Sequence, residues 1–327
     1  MSMAKYCKGY EFEGRFTKRR NHYNIVFDYL EMRSLLKKGK LDKYDVIHIN
    51  NWFNIPLVKY RKSHQIWIFE SHGSHIGLET YKVLEAVPFH RKILTKIMSI
   101  FFEKKYQNYM RQYDLYYVAV PSHMPEAKKV RKDATWLPNV INIDFFKPQK
   151  KKVKMKGNPA IFMPSRIHGY KDPMFGLKIF NEIKKEYPNA FLHLVEYGDK
   201  NPLKIEFLTK LGRKNYVLYD FLDKITYRDY MCSADLILGQ YLNGANGLNE
   251  LEAMACKTPL VSLDTVEVIK VKKDDLPDYA IRLLKNKKFK EKEVNRLHKY
   301  VVNTHSAAAS AKIYVNNIKK VIKTRKL

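Results

Sequence analysis

Between Ala234 and Leu263 the sequence reads ADLILGQYLNGANGLNELEAMACKTPLVSL. A loop carrying Gly244 and Gly247 runs into the good helix formers of residues 249–256, with Glu250 and Glu252 in the first turn. Such a junction gathers free backbone N–H groups and the positive end of a helix dipole, so its chemistry is that of an anion site. A second candidate is Glu70-Ser71-His72-Gly73, where Gly73 permits a tight turn that lets backbone approach a ligand. A third is the basic pair Arg166 and Lys171, which follows an apolar run. Each has a plainer alternative: an ordinary crossover with an exposed Glu, a packed loop histidine, and a solvated pair of cations.

These residues need elements that hold them at strand ends. The short apolar runs 45–49, 65–69, 116–120, 159–163, 190–195, 216–219, 235–238 and 259–263 have the length of buried strands. Between them lie stretches with helical patterning: 25–38, 89–112, 173–187, 227–233 and 249–256. Helices at 277–287, 289–302 and 307–323 follow. Strand–helix alternation in both halves predicts α/β architecture with parallel sheets, where ligands bind at the carboxyl ends of strands. His48, at the end of one such run, is a further cleft candidate or a structural histidine.

Composition bounds the rest. The chain has 327 residues, enough for about two domains, and 45% hydrophobic residues, enough for sizeable cores. No run approaches ~18 apolar residues and no signal-peptide stretch opens the chain, so the expectation is a cytoplasmic protein without a membrane span. Cys7, Cys232 and Cys256 show no pairing or metal spacing, in keeping with a reducing compartment. The net charge of +28 is spread over both halves and favours anionic partners: nucleotide diphosphates, an anionic membrane surface, or nucleic acid. The helix at 89–112, flanked by Arg91, Lys92, Lys96, Lys104 and Lys105, could graze such a membrane or pack on a core with a solvated basic side.

The 234–263 stretch resembles the signature of the retaining nucleotide-sugar glycosyltransferases of family 4, roughly E-G-F-G-L-x-x-L-E-A-M-A-C-G-x-P-V-V. Gly247-Leu248 match its GL pair, Glu252 its second Glu and Pro259 its Pro, while its first Glu falls on Gly244. Residues 136–148 resemble the family segment I-P-N-G-V-D-x-x-x-F-x-P that ends the first domain, and the basic run 150–156 resembles the linker. The resemblance covers roughly residues 40–325. It implies a GT-B fold: two doubly wound, Rossmann-like α/β domains facing across a cleft. These are residues 1–150 on the acceptor side and 151–303 on the donor side, with the helix at 304–325 packing back on the first.

The resemblance also implies roles. Arg166 and Lys171 would hold the departing nucleoside diphosphate, two fixed cations stabilising the charge that develops without a metal. His72, with Gly73 beside it, would contact the donor sugar, and Glu252 the ribose. Gly247, Leu248 and Asn249 would present the helix start, and Gln240 stands where some relatives that lack the first Glu carry a Gln. The implied reaction is transfer of a sugar from a UDP- or GDP-sugar to a glycan, lipid or protein acceptor, with configuration retained and no cofactor. Two rivals remain at this point. One is a nucleic-acid-binding protein on a transferase-like scaffold, motivated by the charge. The other is a catalytically inactive relative, motivated by Gly244 and by an N-terminus offering only Gly9 and Gly14 for the family's Gly-Gly loop.

Overall fold

The computed structural model describes residues 22–50, 52–72, 104–198, 201–242, 246–263, 268–269 and 271–325. Gly73, Gly244, Gly9, Gly14 and most of the expected 89–112 helix lie outside them; residues 104–110 of that helix are helical. The chain divides into two units, residues 1–139 with 310–327, and residues 140–309.

In the first unit, β1 (Val46–Ile49), β2 (Ile66–Ser71), β3 (Leu115–Val118) and β4 (Thr135–Trp136) form a parallel sheet in that order. Alternation along β2 sorts its side chains between two faces. Trp67 and Phe69 join Leu36, Ile47, Ile55 and Tyr116 on one. Ile66 and Ile68 join Tyr117, Leu137, Tyr314 and Ile318 on the other. Tyr314 and Ile318 come from the last helix, Ala307–Arg325, so that helix supplies the cover for the second face. With both faces covered, every residue of β2 is buried, and its first four residues, Ile66 to Phe69, read as a continuous apolar run.

In the second unit, β5 (Ala160–Met163), β6 (Phe191–Val195), β7 (Tyr216–Tyr219), β8 (Leu236–Leu238) and β9 (Leu260–Val261) pair in the order β7-β6-β5-β8-β9, all parallel. This is a doubly wound sheet whose strand order reverses between β5 and β8, the switch point at which open sheets bind ligands. The helix Pro173–Glu186 buries Leu177, Ile179, Phe180 and Ile183 on the sheet, each contributing roughly 1.5–3 kcal/mol. Proline at its first position and Asp172 accepting the Phe175 N–H start it.

Residues 140–150 pack with this unit, because Ile141 and Phe146 enter its core. The basic run that follows is tied there too: Lys151 pairs with Asp235 at 2.5 Å, and the Lys152 and Val153 N–H groups donate to Ser233 Oγ.

Candidate active site

The second unit gathers its polar side chains around the carboxyl ends of β5, β6 and β8. After β5 the chain passes Ser165 and Arg166, buries Ile167, and makes a short 3-10 turn, Gly169–Lys171. Asp172 then takes a left-handed conformation, φ 49°, and its carboxylate pairs with Lys273 at 2.7 Å. Lys171 is fixed at both backbone ends: its N–H donates to His168 O at 2.9 Å, and its carbonyl accepts from Tyr241 N–H at 3.0 Å. Its ammonium donates to Gln240 Oε1 at 2.7 Å. Lys171 from the turn after β5 and Gln240 from just past β8 thus meet across the switch point.

Gly247 precedes the helix Leu248–Ala255 and joins the same cluster. A Cβ there would lie 2.7 Å from Glu250 Oε2 and 3.5 Å from Lys171 Nζ. The Glu250 carboxylate is completely buried between Gly239 and Gly247, and neither oxygen has a fully formed hydrogen bond. Burial drives its pKa up; the Lys171 ammonium and the backbone amides of Glu250, Gly247 and Gln240 offset part of that. Gly239 is as constrained as Gly247, since a Cβ would sit 2.8 Å from Ser262 Cβ and from Glu250 Oε1. Gly239→Ala is therefore expected to lower stability by roughly 1–3 kcal/mol, read by urea unfolding, because core and carboxylate must both shift. An unchanged midpoint would contradict this packing.

A second group lies beside the first. Glu252 lines a cavity of about 230 Å³ with Tyr197, Tyr227, Phe221 and Lys224. Burial pushes its carboxyl up to about 7, against a Tyr227 hydrogen bond and the Lys224 charge. The same burial, with Glu252 next to it, holds the Tyr227 phenol well above its ordinary value. Arg166 is exposed and lies 5.4 Å from the Tyr197 ring centroid. Tyr197 is anchored through its hydroxyl to Pro164 O at 2.7 Å. Asn249 ties the helix start to β5, donating to Ser165 Oγ and accepting from Tyr227 OH, each at 3.0 Å. Leu248 is exposed.

Arg166, Lys171, Gln240, Gly247, Leu248, Asn249 and Glu252 therefore all belong to the second unit and surround the ends of β5 and β8. His72 belongs to the first. There it lies 3.5 Å from Glu70, whose other oxygen lies 3.1 Å from His48. Tyr314 stacks on His48, rings 5.6 Å apart.

Glu250, Tyr197 and Tyr227 join the site although their types and spacing do not single them out as site members. The two tyrosines had a usable signal, since Tyr197 follows β6 at its carboxyl end and Tyr227 lies one helical turn past Asp223, the cap of helix Lys224–Ser233.

Residues 144–292 match the family model described as glycosyl transferases group 1. No curated protein matches this chain. Among solved structures, it is similar to sucrose-phosphate synthase from Thermosynechococcus elongatus (17% identity, 94% of this chain and 81% of that one, TM-score 0.69). It is also similar to a glycosyltransferase from Rickettsia africae (12% identity, 94% and 84%, TM-score 0.62). A third is the pneumococcal O-GlcNAc transferase GtfA, solved with UDP and GlcNAc (11% identity, 89% and 60%, TM-score 0.59). At these identities the likeness concerns the fold, which is GT-B.

Proposed function

We propose that this chain, whose residues 144–292 match the group 1 glycosyl transferase model and whose fold is GT-B, is a glycosyltransferase that moves a sugar from a UDP- or GDP-sugar to a glycan, lipid or protein acceptor with retention of configuration. The observation that carries this reading is the convergence of Lys171, Gln240 and Gly247 where the strand order reverses, with Arg166 and Glu252 beside it. The diphosphate lies against Arg166, Lys171 and the helix start, and Glu252 accepts the ribose hydroxyls. Gln240 steadies Lys171 and stands in for the carboxylate that Gly244 does not provide. The family resemblance assigns His72 and Gly73 to the donor sugar.

The acceptor hydroxyl attacks the anomeric carbon on the face from which the diphosphate departs. Its proton passes to a phosphate oxygen of the leaving group, while Arg166 and Lys171 take up the developing negative charge. No protein nucleophile and no metal is needed for this course. An α-linked donor therefore gives an α-linked product. Product analysis by proton NMR, with release of UDP or GDP followed alongside, checks it; a β-linked product would overturn the retaining assignment.

Glu252 adds a pH dependence. Its folded carboxyl titrates at about 7, and the ionised form is the stronger acceptor for ribose hydroxyls. Nucleoside diphosphate affinity is expected to rise between pH 6 and 8, and to rise less in Glu252→Gln. Parallel calorimetric profiles for the two proteins would remove Glu252 from the ribose contact.

A further inference from the structure

The first unit holds a second basic pocket that the transfer reaction does not use. It is an open cavity of about 480 Å³ lined by Val58, Lys59, Arg61, Arg111, Gln112, Tyr113, Asp114 and Arg325. It lies at the amino ends of β2 and β3, since Asp114 immediately precedes β3 and the Asp114 carboxylate accepts the Trp67 N–H near the start of β2 at 2.7 Å. Lys59 and Arg61 come from the chain leading to β2, Arg111 from the turn leading to β3, and Arg325 from the end of the last helix.

Asp114 organises the wall. Its side chain is 7% exposed, and its Oδ1 pairs with Arg61 at 3.2 Å and with Arg325. Arg61 also donates to Gln112 O at 2.8 Å, and Arg325 to Gln65 O at 3.0 Å. Two guanidiniums are thus held in place by one buried carboxylate and two carbonyls, so little ordering entropy remains to be lost when an anion arrives. Lys59 and Arg111 add two more cations that have no carboxylate partner among the described residues. Among the described residues Lys59 meets the face of Tyr60, and Arg111 donates to Asn108. Lys59 and Arg111, lying beside the paired Arg61 and Arg325, raise the mutual repulsion of the wall, which a bound anion would relieve.

The geometry points to a binding site for a multivalent phosphate group. Four cations face one carboxylate that is already shared. Arginine forks suit phosphate oxygens, and the volume admits more than a single phosphate. Two sources carry this chemistry: the phosphate headgroup of an anionic lipid and a soluble diphosphate.

The test uses the full chain and the double variant Lys59→Glu/Arg111→Glu. Both residues are exposed and outside the cores, so the fold is retained, with an unchanged urea midpoint as control. Binding is measured to inorganic pyrophosphate by calorimetry, and to phosphatidylcholine vesicles with and without phosphatidic acid by co-sedimentation. The double variant is expected to lose a pyrophosphate-binding event or at least tenfold in vesicle affinity, while Lys214→Glu/Lys288→Glu, the same charge change in the second unit, keeps both. Loss in the pyrophosphate arm alone identifies a soluble ligand; loss confined to phosphatidic acid vesicles identifies a headgroup. Unchanged binding in both arms, or an equal loss in Lys214→Glu/Lys288→Glu, would overturn the pocket as a site. UDP binding reports separately on the donor reading.

Discussion

Lys171→Ala weakens UDP or GDP binding by roughly 30- to 1000-fold, the cost of about 2–4 kcal/mol expected when one partner of a preorganised charge pair is removed. The size follows from how the ammonium is held. The Lys171 backbone is pinned on both sides, and Gln240 Oε1 accepts from Nζ at 2.7 Å. Little is spent ordering the side chain when the diphosphate binds. Lys171 also faces the buried Glu250, so its removal leaves that carboxylate less compensated. The loss must therefore persist in Lys171→Ala/Glu250→Gln, where the carboxylate is gone; the pair is close enough to couple. Calorimetry on both variants decides. A change below threefold would take Lys171 out of the diphosphate contact.

Glu250→Gln is expected to raise stability at pH 8 by roughly 1–4 kcal/mol, and by much less at pH 5. The carboxyl has no fully formed hydrogen bond and no exposed surface, and burial raises its pKa above the ordinary 4.5. For an acid shifted upward, the fold prefers the protonated form. Below the unfolded value both states are protonated and no penalty exists. As pH climbs past it, the unfolded chain ionises first and the folded state loses ground. Glu252 contributes in the same direction over the window from 4.5 to about 7. The glutamine fits the same space without the charge, so its advantage grows with pH. Urea unfolding at pH 5 and pH 8 measures this. A less stable variant at pH 8 would mean that Lys171 and the backbone amides more than repay the buried charge.

Much of the frame was legible in the sequence because parallel, doubly covered strands read as unbroken apolar runs. The run 159–163 is observed as Ala160–Met163, and 190–195 as Phe191–Val195. Helix Pro202–Leu211 was not read out, although Asn201 at its cap and Pro202 at its first position are the start signals for one. The helix expected from 227 begins at Lys224, because the Asp223 carboxylate accepts the Ile225 and Thr226 N–H groups. β4 has two residues and is too short for any periodicity to show.

The site was legible where identity alone carries the chemistry, as with Arg166, Lys171, Gly247 and Glu252. Glu250 was not, because nothing local says that a carboxylate in a first helical turn points inward. That depends on the missing Cβ of Gly239, eleven residues earlier on a different element, and on the Lys171 charge arriving from β5. The pocket around Asp114 is likewise assembled from residues between Val58 and Arg325, far apart in sequence. Among the described residues no helix is long and apolar enough to cross a membrane.

The most direct measurement is a crystal structure with UDP or GDP bound. The account predicts the diphosphate against Arg166 and Lys171 at the ends of β5 and β8, with ribose hydroxyls on Glu252. A nucleotide seated away from these three side chains, with Lys171 still donating to Gln240, would contradict it.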